Sequence, residues 1–401
     1  MSSFIPRDRA VPASCAVLAV VLTVVVMVPS LRPAGWSLTV LPRVDSNTAM
    51  GAAAKARDPG FRTVDMGGYD GQWYWGIAVD PIATGDVHQH FDTVAYRYGH
   101  PLYGWLGWLT SAGQPRAVPS ALAALNLIAI AAAAFLAGML GRAGGGRGWE
   151  GLFVALNPGL LYSAAHDLTE PLSAALLLAG ILAYVRGRRL PATVAFALLI
   201  LSKEQFVTVP LAIVAWELVR RRARIRESAI LVASVAPAAV WWLWLRFHLG
   251  AWFTANSDAA FVSPLSGWKR ALLDAGVHSY APDGSQNQLG EVTILIVVAA
   301  AGVLLVAGLL ALRLRGPVDA VVLPLLVIVA CLSPRATVLP RDLLRNIAVA
   351  VALVPFVLAA RPLVPAFARG PRGSGRAEGG ADPRPAAREE ATSRTREARP
   401  D

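Results

Sequence analysis

Three carboxylates and a row of aromatic rings share one short stretch, residues 64–80: Val-Asp-Met-Gly-Gly-Tyr-Asp-Gly-Gln-Trp-Tyr-Trp-Gly-Ile-Ala-Val-Asp. Asp65, Asp70 and Asp80 stand beside Tyr69, Trp73, Tyr74 and Trp75, with Gln72 among them. A carboxylate near a membrane surface can take a proton from a hydroxyl nucleophile. Together with the aromatic row, such acids suit a site for sugar-like groups at a bilayer surface. Asp70 and Asp65 are the catalytic candidates, and Gln72, Tyr74 and Asp80 the substrate-binding ones. The competing reading is a turn-rich loop whose aspartates cap helices, since Asp-Gly is a common turn pair.

Three further groups carry charge at the edges of apolar runs, where ionisable residues default to functional hypotheses. His166, Asp167 and Glu170 follow Asn157-Pro158 and Tyr162; the plainer reading makes Asp167 or Thr169 simply the cap of a helix starting at Pro171. Lys203-Glu204 interrupts an apolar run. The lysine could hold a lipid phosphate as a point charge, or the pair could be an ordinary surface turn. Arg335, Arg341, Asp342 and Arg345 gather enough cations to bind a mono- or diphosphate, against a plainer reading as flanking charge. His88-x-His90 invites a metal, but no zinc-finger, EF-hand or HExxH pattern accompanies it, and no metal or other cofactor is assigned. There is no P-loop and no GxGxxG opening a helix after a strand, so soluble nucleotide donors are not indicated.

The elements that must position these groups are membrane helices. Of the 401 residues 55% are hydrophobic and only 16% charged, against about 25% charged in soluble domains. The apolar residues come in blocks of the length needed to cross a bilayer, about 20 residues. Expected spans are 11–31, 118–140, 149–163, 171–186, 190–201, 205–219, 228–247, 291–312, 317–333 and 342–360. They make an all-α polytopic protein with about ten crossings. The long first outer loop, 32–117, is expected to carry short interfacial helices, with 102–112 and its Trp105 and Trp108 among them. The net charge of +11 is concentrated in runs such as 142–147, 186–189, 220–226 and 313–315. As short loops rich in Lys and Arg these belong in the cytoplasm. Both termini then fall inside, and all four polar groups fall on the extracytoplasmic side. An eleven-span count that promotes 102–112 to a crossing would put the arginine runs outside. Residues 1–361 form the membrane domain, and 362–401, rich in Gly, Pro, Ala, Arg and Glu, is expected to be a disordered cytoplasmic tail. No basic stretch carries the interleaved aromatics of a nucleic-acid surface. Cys15 and Cys331 lie in apolar runs and imply no disulfide framework.

Tyr69-Asp70-Gly71-Gln72-Trp73-Tyr74, then Ile77-Ala78-Val79-Asp80-Pro81, Ala95-Tyr96-Arg97-Tyr98 and Pro101-Leu102-Tyr103, resemble the first outer loop of the type-C (GT-C) integral-membrane glycosyltransferases, in particular the branch related to the mannosyltransferase PIG-V. Asn157-Pro158, Ser163 to Glu170 and Ser202-Lys203-Glu204 are similar to that family's later outer turns. The resemblance covers roughly 60–210 and, more loosely, 330–346. It implies an inverting transfer of a sugar, often mannose, from a polyprenyl-phosphate donor at the outer face of the cell membrane. The acceptor would be an envelope glycan, lipid or protein. Asp70 would be the base, and Lys203 and the outer arginines would hold the lipid phosphate. The same spans and charges also fit a transporter or flippase of lipid-linked substrates, though no internal repeat supports one. They fit a non-catalytic subunit of an envelope complex as well.

Overall fold

The computed structural model describes residues 9–65, 67–220, 225–255, 261–277, 288–359 and 363. Leu363 aside, the tail expectation for 362–401 lies outside the described residues, as do the middle of the basic run at 220–226 and much of the loop at 250–290. Among the described residues the chain is helical, with two isolated β-bridges, Asp45–Val64 and Phe261–Leu332. Four stretches are long and apolar enough to cross a membrane: Ala10–Leu31, Pro115–Ala143, Ile225–His248 and Glu291–Ala311. Glu170–Val185, Arg189–Ser202 and Pro317–Ala330 are apolar but shorter. This is the make-up of a helical membrane protein.

The helices that position the polar groups are α1 (Ala10–Leu31), α2 (Gly71–Val79), α3 (Leu102–Thr110), α4 (Val118–Ala143), α5 (Glu170–Val185), α6 (Arg189–Ser202), α7 (Ala236–His248) and α8 (Pro340–Val351). The centre is α4, which packs against α1 on one side and α5 on the other, with α6 behind α5. Ala129, Ala133 and Ala137 recur every four residues on the buried face of α4. Such small side chains let neighbouring membrane helices approach closely. The opposite faces of α1 and of Glu291–Ala311 leave Val17, Val25, Leu295 and Leu305 exposed, as lipid-facing residues would be.

Two expected spans are broken. The segment 149–163 is a 3-10 turn at Trp149–Gly151, a short helix Leu152–Ala155 and a second helix Pro158–Ala164. Pro158 has no N–H to continue the first helix, and the Asn157 side chain instead caps the second through Gly159 and Leu160. The segment 342–360 divides into α8 and Val354–Leu358, with Pro355 in the first turn of the latter. By contrast the split at Ser202–Gln205 is present: α6 ends there, and a 3-10 turn, Glu204–Val207, leads into Thr208–Val219.

The first-loop segment forms its own aromatic core of Phe61, Tyr74, Trp75, Phe91, Tyr98 and Tyr103 against Val118 and Leu122 of α4. Indole N–H groups fasten it from outside. Trp241 and Trp242 of α7 donate to the carbonyls of Tyr98 and Gly99 at 2.7 and 2.9 Å, and Trp105 of α3 donates to Pro81 O at 2.7 Å. Short α3 thus lies on α2 and α4 as part of this cap.

Candidate functional site

Asp70 sits at the N-cap of α2, yet its side chain makes no cap bond. The carboxylate instead reaches two guanidinium groups. Arg97 Nη1 donates to Oδ1 at 3.1 Å, and Arg345 Nη2 bonds to Oδ2. The helix-cap reading of Asp70 therefore does not describe it. Arg97 comes from the short helix Val94–Arg97 and also grips Asp92 through Nε and Nη2 at 2.9 and 2.8 Å. Arg345 comes from α8, and its guanidinium also lies 4.8 Å from the Tyr69 ring centre.

A cavity of about 360 Å³ opens beside this cluster. Glu170, the first residue of α5, and Lys203, just past the end of α6, line it as a pair with Nζ–Oε1 at 2.7 Å. His100 and Glu204 line it too. They stand 3.1 Å apart, close enough to attract, but misaligned for a hydrogen bond. Tyr74, one turn beyond Asp70, Tyr96 and Tyr69 supply aromatic walls, and the Tyr69 hydroxyl bonds to Asp342. Exposed Arg335 completes the rim.

Of the residues singled out by sequence, Asp70, Tyr74, Glu170, Lys203, Glu204 and Arg345 meet in this cavity. Tyr69, Arg335 and Asp342 join them there, whereas Asp65, Gln72, Asp80, His166, Asp167 and Arg341 do not line it. Asp65 is exposed, accepting from Ser46 Oγ at 3.1 Å. Asp80 accepts from the N–H groups of Thr84, Gly85 and His88 and from His88 Nδ1, so it organises its own turn. Burial opposes its ionisation, but those donors outweigh it and hold the carboxyl below its ordinary value. Gln72 is buried beneath Gly68. His166 stacks on Tyr162 behind Tyr69, and Arg341 lies half-exposed over the Tyr69 ring at 5.5 Å. Burial pushes His166 down to about 4, against a hydrogen bond to Tyr162 O and with help from Arg43 and Arg341. It is therefore a neutral ring at pH 7. Asp167 is wholly buried in left-handed backbone, its carboxyl oxygens have no hydrogen-bond partner, and burial raises it well above the usual range.

Sequence reading passed over Arg97, Asp92 and His100 as binding groups. The signal was the arginine in Tyr96-Arg97-Tyr98, a lone cation between aromatics. Among the described residues no group of three or more His, Cys, Asp or Glu is arranged to hold a metal. His88 of the His88-x-His90 pattern is taken up by Asp80 at 2.8 Å.

For Asp70, burial favours the neutral acid, but Arg345 and Arg97, with Lys203 further off, more than offset it and hold the carboxyl well below the usual range. The cavity thus presents a carboxylate clamped between guanidinium groups, next to a lysine and several phenols. That arrangement can bind a polar ligand bearing an anion and polarise it. No known protein family, curated protein or solved structure matches this chain, so its chemistry rests on that geometry.

Proposed function

We propose that the chain is a multi-pass glycosyltransferase of the cell membrane with a GT-C-like architecture. It transfers a sugar, mannose by the resemblance of its first loop, from a polyprenyl-phosphate donor to a hydroxyl of an envelope acceptor. In this reading the shorter helices complete about ten crossings, both termini are cytoplasmic and the cavity opens on the outer face. The acceptor hydroxyl attacks the anomeric carbon, and the bond from that carbon to the phosphate oxygen breaks with its electron pair going to the phosphate. Asp70 takes the hydroxyl proton. Arg345, Arg97 and Lys203 stabilise the charge that grows on the leaving phosphate.

The observation that carries the reading is the convergence of Asp70, Arg97, Arg345, Glu170 and Lys203 on one cavity at the end of the bundle where α5 begins and α6 ends. A base, several cations and aromatic walls are the parts such a transfer needs. The test is transfer from radiolabelled polyprenyl-phosphate mannose or glucose to hydroxyl acceptors by the purified protein in nanodiscs. Asp70→Asn is expected to lower turnover by ~10²–10⁴-fold. Undiminished transfer by that variant removes Asp70 as the base, and no transfer by the wild type from either donor removes the reading.

A further inference from the structure

The cations of the cavity are already engaged. Arg97 holds Asp70 and Asp92, Arg345 holds Asp70, and Lys203 holds Glu170; Arg335 on the rim stands apart. Arg345 Nε also stands 3.9 Å from Asp342 and has no hydrogen-bond partner. An anionic ligand that takes the Asp70-facing edges of both arginines displaces Asp70. Asp70 is the one built for displacement. Its side chain is 29% exposed, between Glu170 at 4% and Asp92 at 46%, but Asp92 holds Arg97 alone and through two bonds, whereas Asp70 is shared by both arginines. It bridges two arginines that come from elements far apart in the chain, and it makes no bond to the backbone N–H groups of α2. Asp80 offers the contrast within the same loop: three backbone N–H groups hold it, and they cannot be carried away by a ligand.

We propose that the cavity is gated by its own anionic ligand: a phosphate group inserts between Arg97 and Arg345, takes their guanidiniums from Asp70, and so converts Asp70 from a counter-ion into a base. The proposal rests on the transferase reading for what the freed carboxylate then does. A tetrahedral oxyanion suits two guanidinium forks better than a single carboxylate does, because each arginine can donate twice to it. Once the arginines have turned to the phosphate, burial becomes the main influence on Asp70 and moves its proton affinity upward. The proton of the acceptor hydroxyl then passes to Asp70, and the electron pair of the breaking bond falls on the phosphate that the same two arginines hold. Binding is thereby ordered. The acceptor is not deprotonated until the phosphate-bearing donor is seated.

The experiment titrates the full-length protein in nanodiscs with inorganic phosphate and, separately, sulfate, by calorimetry. Asp70→Asn removes the internal competitor and is expected to bind either anion about tenfold tighter than wild type. Arg97→Lys and Arg345→Lys are expected to bind about tenfold more weakly. Sulfate keeps its charge across the pH range of interest. Its binding to the wild type is expected to take up a proton, more so as the pH is lowered, read from heats in buffers of different ionisation enthalpy. This arm needs no variant and so does not depend on Asp70→Asn folding. Equal or weaker anion binding by a folded Asp70→Asn protein, no proton uptake with sulfate, or no anion binding by either form each overturns the exchange. None of these measurements involves sugar. Tighter binding by Asp70→Asn, with no transfer from a polyprenyl-phosphate donor by the wild type, would leave the exchange standing and remove the transferase reading. Transfer without a change in anion affinity would do the reverse.

Discussion

Asp65, Asp70 and Asp80 look alike in sequence, and their different fates come from what reaches them. Asp80 is answered by its own turn and Asp65 by a neighbouring serine. Asp70 is answered by arginines 27 and 275 residues away. No local spacing encodes a partner at such a distance, so the chemistry of Asp70 was legible only as a candidate. Arg97 was harder to see, since an isolated charge in a polar loop usually faces solvent. The Glu170–Lys203 pair was read from sequence as two separate groups, and it makes a sharper test of how buried charge is held. Lys203→Met leaves the Glu170 carboxylate, 4% exposed, without its cation. Removing one partner of such a pair costs roughly 3–5 kcal/mol, whereas replacing both is often neutral. Lys203→Met is therefore expected to lower stability by about 3 kcal/mol, and Glu170→Gln added to it to restore most of the loss. Denaturation of the four proteins in detergent gives the coupling directly, and an additive result would mean that the pair does not interact in the folded state.

At the level of elements, the two halves of the Asp70–Arg345 contact are each set by a glycine. A Cβ on Gly71 would meet the carbonyl of His166 and stand 2.9 Å from Pro42 O. The start of α2 is thus wedged against the turn before α5. A Cβ on Gly159 would press on the carbonyl of Leu344 and stand 2.9 Å from Ala348 Cβ. The helix Pro158–Ala164 thereby supports α8 one residue from Arg345. Asn157 adds to this seat by donating to Ala348 O at 2.9 Å. Gly71→Ala and Gly159→Ala are each expected to destabilise the fold by about 1–3 kcal/mol. Gly302→Ala, where nothing lies within 4 Å, is expected to be neutral or slightly stabilising. Equal melting temperatures for all three would contradict this account. The apolar blocks themselves were plain in the sequence, as was the break at Ser202–Gln205, where four polar residues interrupt a run too long for one helix. The break at Asn157-Pro158 was harder, because apolar residues on both sides conceal an asparagine that caps the helix after it and donates to α8.

Across the whole molecule, charge is divided between the two ends of the bundle. Helix α5 runs from the cavity at Glu170 to Val185, just before Arg186, Arg188 and Arg189, and α6 returns from there to Ser202. At the far end Arg189 binds Glu217 and Glu227 at 2.6 and 2.9 Å, and Arg220 donates to the carbonyls of Arg313 and Leu314. In the orientation proposed from the positive-inside rule, this end lies in the cytoplasm and the cavity outside. A cysteine at exposed Gln89 is accordingly expected to react with an impermeant maleimide in intact cells, and one at exposed Arg188 only after permeabilisation. The opposite labelling pattern would invert the proposed orientation and with it the side on which any donor is used. The cavity draws on 69–100, 168–205 and 332–346 and on Phe261, with the helix bearing Arg345 arriving last. During translation Asp70 emerges from the ribosome long before Arg345 does. A partly synthesised chain therefore has one jaw of its anion clamp and not the other, and the pocket is assembled only when the helix bearing Arg345 has been made and packed.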